Sequence, residues 1–203
     1  SKYCKINSDI YYKDKLNQTI NFLITEFKNK EGLLGSAFDA DSDGEEGKYY
    51  VYSYSEIKDI KNIESYFEIK PEGNCENKII LVEKEKPPDE ILKKLFKIRS
   101  KRNKPFFDDK TQLDINCLMI SALISANEVL PGKGYLKLAE EFFLKIEKKY
   151  INKNIYHSFS SSIVFIEDYA FLINALIDLS DKTMNFKYKD CLLYTSPSPR
   201  DDQ

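Results

Sequence analysis

Three short acidic stretches carry the residue types best suited to chemistry: Asp39-Ala-Asp41-Ser-Asp43-Gly44, Phe107-Asp108-Asp109-Lys110 and Glu167-Asp168-Tyr169. Two carboxylates held across one cavity can protonate a glycosidic oxygen and activate a water molecule. On that chemistry Asp39 or Asp41 is the acid/base candidate, and Asp109 and Asp168 are the opposing carboxylates. Lys110 would keep Asp109 ionised, while Asn116 and Tyr169 offer an amide and a phenol ring to a hydroxyl-rich ligand. The competing reading is structural, because acids at helix N-termini answer the helix dipole and the free amides of the first turn. Asp39 to Gly44 also matches the first half of a calcium loop, where alternating carboxylates converge on a hard cation. The closing glutamate of such a loop is replaced by Tyr50, and Glu45-Glu46 stands where an apolar residue is usual, so no metal is assigned. A tight turn whose carboxylates cap backbone amides explains the same residues.

The residue types that are scarce narrow the chemistry further. A single histidine, His157, and no tryptophan exclude a His-rich zinc site, a two-histidine acid/base pair or an indole sugar platform built from this chain alone. The cysteines Cys4, Cys75, Cys117 and Cys191 form no Cys-x-x-Cys pair and read as buried free thiols. Lys plus Arg total 31 against 33 Asp plus Glu, a net charge of −2 that disfavours nucleic acid and anionic membranes as partners. No apolar run approaches the roughly 20 residues of a membrane helix, and the first residues lack a signal-peptide layout. A soluble chain in the cytoplasm, without a cofactor, is the expectation.

Helical spacing of apolar residues supplies most of the elements that would position these groups. It predicts helices over 8–28 and 90–101, and a capping box at Ser53-x-x-Glu56 opens one over 54–60. Tyr49 to Tyr52 and Ile79 to Val82 read as short strands. On the helix over 90–101, Ile91, Leu95, Phe96 and Ile98 face inward and the Lys/Arg face is solvated. The segment 113–130 is apolar almost all round, 135–150 keeps one apolar stripe, and 166–179 is again apolar nearly all round. Inner, outer, inner is the order of an α/α toroid, in which a ring of buried helices is wrapped by a second ring. The expected fold is mainly α, a partial toroid with short β-hairpin insertions, whose pocket lies where the long loops converge.

The stretch Gly32-Leu-Leu-Gly-Ser-Ala-Phe-Asp-Ala-Asp-Ser-Asp-Gly-Glu-Glu-Gly-Lys-Tyr-Tyr-Val-Tyr52 resembles the Gly-Gly-Phe-Tyr-Ser-Ala-Glu-Asp-Ala-Asp-Ser-Glu-Gly segment of the YyaL family, whose animal member is spermatogenesis-associated protein 20. Gly73-Asn-Cys-Glu-Asn77, Arg102 with Pro105 and Asp108-Asp109-Lys110, Asn116 with Leu118-Met-Ile120, and Asp168-Tyr-Ala-Phe-Leu172 follow in the family's order. The resemblance implies a six-hairpin toroid similar to glycosidases and to N-acylglucosamine epimerases, preceded by a thioredoxin-like domain that would lie outside this chain. It implies a carbohydrate-related pocket with a small sugar or polyol as ligand, and a hydrolase or isomerase activity by analogy of fold. The sequence departs from the family at Phe38, where Glu is usual, at Ile115 and Cys117, where Trp and Gly flank Asn116, and at Glu167, where Asp is usual. Those departures favour a second expectation, a non-catalytic binding or scaffold domain that supports the thioredoxin-like module.

From Cys191 the chain reads Cys-Leu-Leu-Tyr-Thr-Ser-Pro-Ser-Pro-Arg-Asp, with no helical or strand period. The string resembles the in-frame translation of a transposase adapter used to prepare sequencing libraries. The expected organisation is one partial toroid domain over 1–190 and a disordered, adapter-derived tail over 191–203.

Overall fold

Apolar residues at helical spacing, bounded by glycine, proline and capping side chains, dominate the chain, and helices form where they recur. The computed structural model describes residues 1–7, 9–151, 155–158, 161 and 163–195. Among them nine helices form: α1 (Lys2–Ile6), α2 (Ile10–Glu26), α3 (Tyr54–Ile57), α4 (Ile63–Tyr66), α5 (Asp89–Arg99), α6 (Leu113–Val129), α7 (Tyr135–Tyr150), α8 (Ile166–Thr183) and α9 (Lys187–Thr195). Strands are two residues long, so the fold is mainly α as expected. No helix among the described residues is long and apolar enough to cross a membrane. The chain divides into two compact units, 1–37 with 108–203, and 38–107, where the sequence suggested one domain over 1–190. Helix α9 takes in residues 191–195 of the expected tail; the remainder of that tail lies outside the described residues.

The first unit is organised on α6, which buries Leu113, Asn116, Cys117, Met119, Ile120, Leu123, Ile124 and Ala126. Helix α7 covers it with the single stripe Tyr135, Ala139, Phe142, Phe143, Ile146 and Tyr150. Helix α8 adds Leu172, Ala175, Leu176 and Leu179, but Ile177, on its other side, is 41% exposed, so α8 buries one face rather than most of its circumference. The turn between α6 and α7 needs Gly132 and Gly134, at φ 86° and 77°, a region that a side chain disfavours.

The second unit has its own core of Tyr52, Ile57, Ile60, Ile63, Phe67, Ile79, Ile91 and Leu95. Phe67–Glu68 pairs antiparallel with Val82–Glu83, and Tyr52 bridges Ile79. Tyr49 to Tyr52 is a turn ending in that bridge rather than the expected strand, since the Tyr50 N–H donates to the Gly47 carbonyl. Phe96, expected inside, is exposed and lies beside the Arg99 guanidinium. The half calcium loop is a β-hairpin: Asp41–Ser42 pairs with Glu45–Glu46 across Asp43 and Gly44, whose φ values of 54° and 74° suit an Asp-Gly hairpin turn. Asp43 accepts a hydrogen bond from the Asn103 amide at 2.8 Å. Among the described residues the acids of this loop do not converge as a ligand cluster.

Arg102 staples this unit. Its guanidinium donates to the carbonyls of Lys48 and Tyr49 at 3.1 and 3.0 Å, to that of Val51, and to Glu56 at 2.9 Å, and lies 4.9 Å from the centre of the Tyr52 ring. Glu56 also accepts from the backbone N–H and the hydroxyl of Ser53, at 2.8 and 2.9 Å. Burial raises the Glu56 carboxyl, but the bonds from Ser53 and Arg102 outweigh it and hold the group below its ordinary 4.5. Because the folded value is the lower one, this contribution is present above pH 4.5 and is lost as pH falls through the folded value. Arg102→Lys should destabilise the unit by about 2 kcal/mol, since lysine cannot span the fork of acceptors. Amide hydrogen exchange over 38–107 would register that loss, and Glu56→Gln should flatten the unit's acid dependence.

Candidate functional site

The segment after α2 is pinned onto the first turn of α6 by two asparagines. Asn29 Oδ1 accepts from the N–H groups of Glu31 and Leu33 at 3.0 and 3.3 Å, while its Nδ2 donates to the Asp109 carbonyl at 2.9 Å and the Thr111 hydroxyl at 2.7 Å. Asn116 is fully buried; its Oδ1 accepts from the Leu34 N–H at 2.8 Å, and its Nδ2 donates to the carbonyls of Leu34 and Gln112 at 3.0 and 2.9 Å. Both amide hydrogens of Asn116 are therefore committed to backbone. With the segment fixed, Glu31 meets Lys149 at 2.8 Å, the Thr111 hydroxyl at 3.3 Å and the Tyr150 hydroxyl at 3.5 Å. Burial pushes the Tyr150 phenol above its ordinary value, so it stays a protonated donor.

These contacts wall a cleft of about 240 Å³ lined by Glu31, Asp109, Lys110, Thr111, Tyr150 and Ser158, with Lys30 at its rim. Two carboxylates, three hydroxyls and two ammonium groups converge there, a donor and acceptor set suited to a polyhydroxylated ligand. A larger open groove of about 400 Å³ beside α2 and the start of α7, lined by Asn17, Asn21 and Glu141 among others, holds none of the residues singled out from the sequence.

Asp168 lies in the first turn of α8 and is fully buried. Its Oδ2 accepts the Phe165 N–H at 2.9 Å, and His157 Nδ1 lies 2.9 and 3.1 Å from its two oxygens. The other ring nitrogen of His157 is 3.1 Å from the Gln112 amide nitrogen, and the Phe165 ring meets the imidazole edge-on at 4.8 Å. Asp114 completes the group: one ligating atom from each of Asp114, His157 and Asp168 falls within 4.8 Å of the others. Beside them Cys117 is wholly buried; burial first, then the carboxylates of Asp168 and Asp114, push its thiol well above the usual range and keep it neutral.

The sequence-derived candidates thus fall into separate places. Asp109 and Lys110 line the cleft, but Lys110 reaches Asp108 at 3.5 Å, whereas the lysine near Asp109 is Lys30 at 3.8 Å, not the expected Lys110. Asp168 joins His157, and Tyr169 is half-buried against the hydrophobic core. Asp39 and Asp41 are exposed residues of the second unit, where Asp39 Oδ1 accepts the Asp41 N–H at 3.3 Å. Of the positions that depart from the family pattern, Phe38 stacks on Phe107 at 4.7 Å, Ile115 is half-buried and Cys117 belongs to the core. Sequence reasoning missed Glu31, Asp114, Tyr150 and His157. The available signal for Asp114 was polarity: Gln112, Asp114 and Asn116 interrupt the start of an otherwise apolar helix.

The chain matches no protein-family model, and no curated protein matches it. Replacing Asn116 with alanine would leave the Leu34 N–H and carbonyl buried without partners. The expected cost is about 2–3 kcal/mol in urea unfolding.

Proposed function

We propose that this chain is part of an α/α toroid of the YyaL type, and that its cleft binds a small sugar or polyol. The observation that carries the reading is the placement of Asp109 and Lys110, residues within the YyaL-like motif, in one cleft with Glu31, Thr111, Tyr150 and Ser158. Carboxylates accept from sugar hydroxyls, ammonium groups donate to them, and side-chain hydroxyls do both. Catalysis of hydrolase or isomerase type would use Asp109 together with Glu31, the other carboxylate of the cleft. The test is saturation-transfer NMR on the full chain with a panel of hexoses, N-acylhexosamines and polyols. Asp109→Asn should abolish binding while costing under about 0.5 kcal/mol of stability, since its ion pair is exposed. A panel without any saturating ligand, or undiminished binding by Asp109→Asn, sinks the reading.

A second reading, a scaffold domain supporting a thioredoxin-like module, is favoured by one observation: the side chain of Asn116 is spent on backbone groups and Asp168 caps the Phe165 N–H. It expects no sugar to raise the melting temperature, and a loss of about 2–4 kcal/mol for Asp168→Ala through the uncapped amide and the unpaired His157.

A further inference from the structure

We propose that Asp114, His157 and Asp168 form a binding site for a divalent first-row transition-metal ion, with zinc as the reference ion. The cluster uses none of the residues that line the cleft, so it stands apart from the sugar-binding reading. Three observations carry it. The first is geometry. Protein ligands to such an ion sit at about 2.0–2.2 Å, which places neighbouring donor atoms roughly 3 Å apart. His157 Nδ1 lies 2.9 Å from Asp168 Oδ1, and donor atoms of all three side chains fall within 4.8 Å of one another. Binding an ion requires the donor pairs, now up to 4.8 Å apart, to draw in to roughly 3 Å.

The second is charge. Asp168 is fully buried and Asp114 is half-buried, and among the described residues neither is paired with a lysine or arginine. Even a protonated His157 leaves the group one negative charge in excess, which is costly for the buried Asp168. A divalent cation that replaces the Nδ1 proton, released to solvent, brings two carboxylates and a neutral imidazole to net zero.

The third is the surrounding support. Metal-bound histidines are oriented by a hydrogen bond from their other ring nitrogen to a carbonyl or carboxylate. The Gln112 amide nitrogen sits 3.1 Å from His157 Nε2; turning that amide over would set its oxygen there to accept the Nε2 hydrogen and free the Nδ1 lone pair for the ion. The Phe165 N–H holds the Asp168 carboxylate from the other side. One imidazole and two carboxylates leave coordination positions for water, the arrangement of an ion that can take part in chemistry.

The full chain, stripped with chelator, is titrated with zinc chloride by calorimetry and with cobalt(II) chloride by absorption. One equivalent of zinc should bind. Asp114→Asn should weaken it at least about tenfold without lowering the melting temperature of the metal-free protein, since the bond that Asp114 accepts from the adjacent Ile115 N–H survives in asparagine. His157→Gln should abolish binding, and Asp109→Asn should leave it unchanged. Cobalt bound through nitrogen and oxygen shows only weak visible bands. A strong near-ultraviolet thiolate band would place the ion on cysteines and overturn the proposal, as would absence of a saturable equivalent or wild-type affinity in Asp114→Asn.

Discussion

The first unit depends on α6, whose apolar side has to be covered by other helices even though Leu118 leaves part of its surface exposed. Its eight buried residues cover about half of its circumference, while Leu118 on the remaining side is 47% exposed, and α7 and α8 each bring one apolar stripe to the buried side. Burying that side along the whole helix also decides where large polar groups can go. Apart from Ser121 and Ser125 they gather at its ends, and at the N-terminal end Gln112, Asp114 and Asn116 sit within two turns of one another. Everything of chemical interest in the first unit is built against that end: the cleft beside Thr111, the imidazole beside Gln112, and the carboxylate pair of Asp114 and Asp168.

The acids gathered there are not equivalent. Glu31 is answered by Lys149 and by two hydroxyls, so its charge is balanced within the fold. Asp109 is more than half exposed and has only a loose lysine at 3.8 Å, which leaves its oxygens open to an incoming ligand at little cost in stability. Asp168 is the reverse, buried and held by a backbone amide and an imidazole. The three therefore separate into a wall, a contact and an anchor, although the sequence alone presents them all as acids near helix starts.

Periodicity made the long helices legible: α7 begins and ends at the residues expected, and α2, α5, α6 and α8 differ by a few residues at their ends. Short elements were misread where a tertiary contact overrode the local signal. Tyr49 to Tyr52 has strand-like composition, yet Arg102 takes the carbonyls of Tyr49 and Val51 that a ladder would use. The alternating acids at Asp39 to Asp43 suggested converging ligands, but the Asp-Gly turn folds them into a hairpin. Adjacency misled again at Asp109, because residue 108 rather than 109 presents its carboxylate to Lys110. His157 was invisible for a different reason. It lies in a segment without period, 43 positions beyond Asp114 by number, and a backbone bridge between Gln112 and Ser158, with the Leu113 N–H donating to the His157 carbonyl, brings the two together.

Structural and functional uses of the buried carboxylate are not alternatives in this arrangement. A side chain whose rotamer is fixed by an N-terminal amide and an imidazole is already ordered, so a ligand meeting it has less conformational freedom to remove. The distinction that matters is whether charge and hydrogen-bonding capacity are left over once the fold is satisfied. Asn116 has none: it is neutral, and each of its amide groups is matched by backbone. The group of Asp114, His157 and Asp168 does, because two carboxylates stand near one imidazole and, among the described residues, neither is paired with a lysine or arginine. An imbalance fixed by the core is what separates a site from a cap, and on that criterion the buried end of α6 differs from Asn116 beside it.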